Sequence, residues 1–160
     1  MGGVKSALQA LLPRGLYRVL LRPYHYAWAL GSALYHGFPA NRLTVVLVTG
    51  TKGKSSVTEM LFTTLVDAGI PAAVAGTIRF AIRDETHPNL YKMTMPGRGF
   101  IQKFLRDAVK KGATHAVIEV TSEATLQYRH KFLSPNALVF TNLQKEHIES
   151  HGSIENYAAA

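Results

Sequence analysis

Two hydrophobic rhythms divide the chain. Up to residue 42, Leu8, Leu11, Leu12, Leu16, Val19 and Leu20 recur near helical spacing while Pro13 and Pro23 interrupt, and Tyr24, Tyr26, Trp28, Tyr35 and Phe38 follow. This pattern predicts short amphipathic helices. From Leu43 the pattern becomes one of alternating strands and helices. Leu43 to Val48 is β-branched and apolar, as in a strand buried on both faces, and it runs into Thr49-Gly50-Thr51-Lys52-Gly53-Lys54-Ser55-Ser56. Val57, Met60, Leu61, Thr64, Leu65 and Ala68 predict the apolar face of a helix that Gly69 and Pro71 stop. Ala72 to Thr77 predicts a strand, and the more polar Phe80 to Tyr91 an excursion or hairpin. Phe100, Ile101, Phe104, Leu105, Ala108 and Val109 predict a second amphipathic helix, with Lys110 and Lys111 complementing its dipole and Gly112 as its cap. Ala116 to Val120 and Ala137 to Thr141 predict two further buried strands.

This order predicts an α/β protein with a P-loop-type, mostly parallel sheet covered by helices on both faces, preceded by a short helical N-terminal arm. Ligands of such sheets bind outside the carboxyl ends of the strands. The expected division is an arm over 1–42 and a domain over 43–160.

Length and composition narrow the chemistry. The 160 residues suffice for one domain with an appendage, and the 47% apolar share supplies a core. With no cysteine, a disulfide framework, a cysteine-ligated zinc site and a thiolate nucleophile are excluded, and a reducing cytoplasm is the expected setting. The net charge of +8 suits phosphorylated ligands, nucleic acid or an anionic membrane surface. No nucleic-acid recognition motif accompanies it, so no nucleic-acid partner is expected. Lys5, Arg14, Arg18, Arg22 and Arg42 all precede the first carboxylate, Glu59. The uncharged run from Tyr24 to Pro39 is shorter than the roughly 20 residues a spanning helix needs. Two readings of 1–42 stay open, packing on the following domain and peripheral contact with the inner membrane surface.

Gly50-Thr51-Lys52-Gly53-Lys54-Ser55, between strand and helix, carries the strongest chemical signal. Glycines let backbone amides close around phosphate oxygens, Lys54 supplies a point charge, and the Ser55 hydroxyl can hold Mg²⁺. The spacing is G-x-x-G-K-S, shorter than the Walker form. Glu119, at the end of its strand, is placed to coordinate a phosphate-bound magnesium ion. His147 and His151 have the i, i+4 spacing of a zinc pair, but Ile148 follows the first and Gly152 ends any helix, which argues against zinc.

Taken together, Val48 to Ser56, Glu119-Val120-Thr121-Ser122, and Thr141-Asn142-Leu143 through His147, His151 and Gly152 resemble the Mur ligase family. The likeness is greatest to the branch that adds the third residue of the peptidoglycan stem peptide, and it runs from about Leu43 to Ala160. The resemblance implies ATP-dependent activation of a carboxylate to an acyl phosphate, followed by attack of an amine. It implies Gly50 to Ser56 on ATP, Lys54 on the migrating phosphoryl group, Ser55 and Glu119 on one Mg²⁺, and His147 on a second. It also implies Thr94, Thr121, Gln127 and Arg129 on a UDP-muramoyl-peptide-like substrate, with an amino acid as the third reactant. Met95, Glu123 and Glu146 depart from the family's residues. The family's separate N-terminal and C-terminal domains have no counterpart here, so the expectation is an incomplete, monomeric ATP-binding middle domain with little turnover alone. Other superfamily ligases, of the folylpolyglutamate or cyanophycin synthetase type, and a non-catalytic nucleotide-binding module recruited to membranes are the alternatives.

Overall fold

The structure is a computed structural model that describes residues 14–91 and 93–144. Helix α1 spans Arg14–His36, and a 3-10 turn at Pro39–Arg42 leads into strand β1, Thr44–Thr49. Helix α2 (Lys54–Asp67), strands β2 (Ala72–Ala75), β3 (Arg79–Ile82) and β4 (Glu85–Pro88), and helix α3 (Arg98–Lys110) follow. Strand β5 (His115–Glu119), the short helix α4 (Ser122–Leu126) and strand β6 (Ala137–Phe140) complete the order. The sheet runs β4-β3-β2-β5-β1-β6. Its β2, β5, β1 and β6 are parallel, whereas β3 and β4 add an antiparallel hairpin at one edge, the excursion expected between Phe80 and Tyr91.

The strand period of two decides which helix each side chain meets. Val45, Leu47, Ala116 and Ile118 share one core with Ile101, Phe104, Leu105 and Ala108 of α3. Val48, Val74 and Val117 point the other way, against Phe62, Val57, Leu61 and Leu65 of α2. The sheet is therefore covered on both faces, and burying each large α3 side chain contributes about 1.5–3 kcal/mol.

Three expectations change in detail. Among the described residues of the arm, Arg14–His36 forms one continuous helix where short helices were expected, and α1 continues through Pro23. A proline inside a helix costs about 3 kcal/mol, and contact with α3, where Ala29 and Ala33 are buried, offsets it. On α2 the expected Val57, Leu61 and Leu65 do face the sheet, but Thr58 and Phe62 are the buried centre of that face and Met60 is exposed, because the helix starts at Lys54 and sets its face from there. β6 is an edge strand among the described residues, with Leu138 and Phe140 exposed rather than buried.

Candidate functional site

The parallel order places the carboxyl ends of β1, β2 and β5 side by side, since Val48 pairs with Glu119 and Ala75 with Ile118. The glycine-rich segment Gly50 to Ser55 leaves β1 at that edge and enters α2. Two glycines permit its path. Gly53 takes a left-handed conformation as the residue before α2. Gly50 has φ +133, and a Cβ there would stand 2.2 Å from the Thr141 hydroxyl.

The segment that follows β6 holds this loop from the side. Asn142 accepts from the Lys52 amide at 3.0 Å and donates to the Lys52 carbonyl at 3.0 Å. Thr141 donates to the same carbonyl at 2.7 Å, and the Gln144 amide donates to the Thr51 hydroxyl at 2.9 Å. Within the loop the Lys54 ammonium donates to the carbonyls of Gly50 and Thr51, each at 2.9 Å. The cation is thereby held over the loop at the first turn of α2.

Glu119 is 2% exposed. Its Oε1 accepts the Ser55 hydroxyl at 3.0 Å and the Thr77 hydroxyl at 3.0 Å, and its Oε2 accepts the Thr77 amide at 2.8 Å. No salt bridge among the described residues reaches it. Gly76 makes room for this carboxylate, as a Cβ there would lie 3.3 Å from Oε2. With its own proton given to Glu119, Thr77 accepts from the Thr94 hydroxyl at 2.8 Å. One carboxylate and three hydroxyls thus gather where two strand ends meet the glycine loop. Such an all-oxygen donor set is what a hard divalent cation selects, so these residues fit magnesium.

The residues expected at the site fall into two joined groups. Lys54, Ser55, Glu119 and Thr94 come together as described. Thr121 caps α4, accepting from the Ala124 amide at 3.3 Å. Gln127 accepts from Arg129 at 2.7 Å, and Arg129 also donates to the Met95 carbonyl, one residue from Thr94. Met95 itself is buried in the core, which explains an apolar side chain where the family pattern has a hydroxyl. Ser56 is exposed on the first turn of α2. His147, and with it His151, lies outside the described residues.

Thr77 and Asn142 were not singled out for roles in the sequence. Thr77 follows a glycine directly beyond an apolar strand, which is the available signal for a strand-end ligand residue. Asn142 gives only a Thr-Asn pair after β6, and its role as a clasp depends on a contact across 90 residues.

The fold and this edge define a doubly covered α/β protein whose site joins a glycine loop to a strand-end carboxylate. The chain belongs to the Mur ligase family, since residues 48–160 match the Mur ligase middle domain. It is 34% identical over 146 residues to UDP-N-acetylmuramoyl-L-alanyl-D-glutamate--2,6-diaminopimelate ligase of Geobacter metallireducens, covering 91% of this chain and 28% of that protein. It is 36% identical over 129 residues to UDP-N-acetylmuramyl-tripeptide synthetase of Roseiflexus sp., covering 79% of this chain and 25% of the relative. A solved UDP-N-acetylmuramoyl-L-alanyl-D-glutamate--2,6-diaminopimelate ligase superposes with a TM-score of 0.64 at 29% identity, over 73% of this chain and 23% of that one. The chain therefore spans about a quarter of the length of these relatives.

Proposed function

We propose that residues 43–160 are the ATP-binding middle domain of an ATP-dependent carboxylate-amine ligase of peptidoglycan precursor synthesis, with 1–42 as an appended arm. The observation that carries this reading is the Ser55–Glu119 hydrogen bond, which joins the glycine loop to the strand-end carboxylate at one lip of the sheet. The names of the relatives, all ligases acting on muramoyl peptides, support the substrate class: ATP, a UDP-muramoyl-peptide-like carboxylate and an amino acid.

The chemistry asks for cations between two anions. A carboxylate attacking a phosphoryl group meets electrostatic repulsion, and fixed positive charge at the transferring group lowers that barrier. In this reading the loop amides of Gly50 to Ser55 hold the phosphates at the α2 N-terminus, where the helix field is positive. Lys54 exchanges its bonds to the Gly50 and Thr51 carbonyls for phosphate oxygens, following the phosphoryl group as its charge shifts. Ser55 and Glu119 would hold Mg²⁺, with His147 on a second ion, and the metal supplies charge neutralisation when bound. Arg129, which donates to the Met95 carbonyl, and Gln127, which accepts from Arg129, orient the acyl substrate beside Thr94 and Thr121. The carboxylate becomes an acyl phosphate with release of ADP, and the amine then displaces phosphate to give the amide.

Titration calorimetry with Mg·ATP tests the nucleotide half. The wild-type chain gives a saturating heat, and Lys54→Ala weakens binding by at least about tenfold, the loss of one charge-assisted contact. Equal heats from both proteins would remove the basis for this reading. For turnover, the full-length protein should release phosphate only when a muramoyl-peptide carboxylate and an amino acid are both supplied.

A further inference from the structure

Helix α1 is built inside out. Its buried stripe consists of His25, Ala29 and Ala33, and Tyr26 packs edge-on against Tyr128 and Phe132, whereas Tyr24, Trp28, Leu34 and Tyr35 are exposed. Tyr24, Trp28, Gly31, Leu34 and Tyr35, at i, i+4, i+7, i+10 and i+11, share the face opposite that stripe. Trp28 is 46% exposed, Leu34 59% and Tyr35 79%. A Cβ at Gly31 would meet nothing within 4 Å, so the middle of this face is an open groove of about 450 Å³ that continues to Gly99 at the start of α3. An ordinary surface helix turns its large apolar side chains inward.

The groove ends beside a basic notch. Leu34, Tyr35, His36, Arg42, Arg106 and Lys110 line a cavity of about 340 Å³ where α1, the 3-10 turn and α3 meet. Arg106 donates to the Tyr35 carbonyl at 3.3 Å, which fixes its guanidinium at the rim. Among the described residues no carboxylate pairs with Arg42, Arg106 or Lys110. Nor does any acidic residue precede Glu59. Burial first, and then Arg106, holds the His36 imidazole below its ordinary value of 6.5, in keeping with a positive field in the notch.

We propose that the outward face of α1 lies flat on an anionic lipid surface, with Trp28, Leu34 and Tyr35 at the level of the headgroups and a lipid phosphate in the Arg42–Arg106–Lys110 notch. Tryptophan and tyrosine favour that depth because one end of each ring is apolar and the other polar. No helix among the described residues is long and apolar enough to cross a membrane, so the contact is lateral. Charge selects this occupant over a second copy of the chain, because a protein of net charge +8 would bring its own cations against the same notch. The proposal is independent of the nucleotide site.

Trp28 is the chain's single tryptophan and reports directly. With the full chain and vesicles of phosphatidylcholine plus phosphatidylglycerol, its emission shifts to shorter wavelength, brominated acyl chains quench it, and the protein floats with the vesicles. Arg42→Glu/Lys110→Glu weakens partitioning at least about tenfold, as does raising the salt concentration. Leu34→Ser/Tyr35→Ser weakens it comparably while leaving the reporter in place, and circular dichroism confirms that both variants keep their helix. Lys54→Ala floats like the wild type, which separates this proposal from the ligase reading. Inorganic phosphate alone leaves the emission unchanged. Absence of flotation, equal partitioning of wild type and variants, or emission already shifted in the lipid-free chain through self-association or cover by other parts of the protein each overturns the proposal.

Discussion

Glu119 accepts three hydrogen bonds in a site nearly closed to water, so a neutral isostere separates its charge from its volume. Glu119→Gln keeps the packing but turns an amide donor toward Ser55 or Thr77, and it should cost about 1–3 kcal/mol in urea unfolding. Its larger effect should be on metal linkage: ATP affinity becomes the same with magnesium and with a chelator, whereas the wild type binds more tightly with the ion. Retention of the full magnesium effect in the variant would take Glu119 out of the metal site. Most of this geometry was legible as residue types, because a glycine loop after a strand and a carboxylate at a strand end are local patterns. Thr77 was not, since its value lies in reaching a carboxylate 42 residues away.

Among the elements, the segment after β6 behaves as a clasp on the glycine loop. Asn142→Ala removes both side-chain bonds to the Lys52 backbone. The expected result is faster hydrogen exchange at the Thr51 and Lys52 amides and about tenfold weaker ATP binding, with global stability lower by only about 1–2 kcal/mol. Unchanged exchange at those amides would show that the loop keeps its shape unaided. The elements that the sequence made plain are those whose apolar residues are continuous or strongly periodic and end up in the core: β1, β5 and α3. Those it did not are decided by tertiary context. Pro23 reads as a break, yet α1 passes through it because α3 supports the helix beyond. Met60 fits an apolar face by spacing alone, but the turn at Gly53 and Lys54 sets the phase of α2 and leaves it outside.

For the molecule as a whole, the clearest pH dependence should come from histidine. Burial first, and then Lys131, holds His130 below its ordinary value of 6.5. Its Nδ1 is buried without a hydrogen-bond partner. The unfolded chain therefore takes up a proton near pH 6.5 while the folded chain is still neutral there. The stability due to this residue is complete above that value and is lost as the pH falls through the lower folded one. His36 shifts in the same direction. The urea midpoint should drop between about pH 7.5 and about pH 5, and His130→Gln should make that drop smaller. An identical drop in the variant would assign the acid sensitivity elsewhere.

The clasp between Asn142 and Lys52 also sets an order of events during synthesis. Gly50 to Ser55 leaves the ribosome some 90 residues ahead of the segment that shapes it, and contacts this distant in sequence form late. While the chain is being made, the loop has its residues but not its conformation. In the proposed reading, ATP capture therefore waits on β6, engaging only molecules in which that strand has docked beside β1.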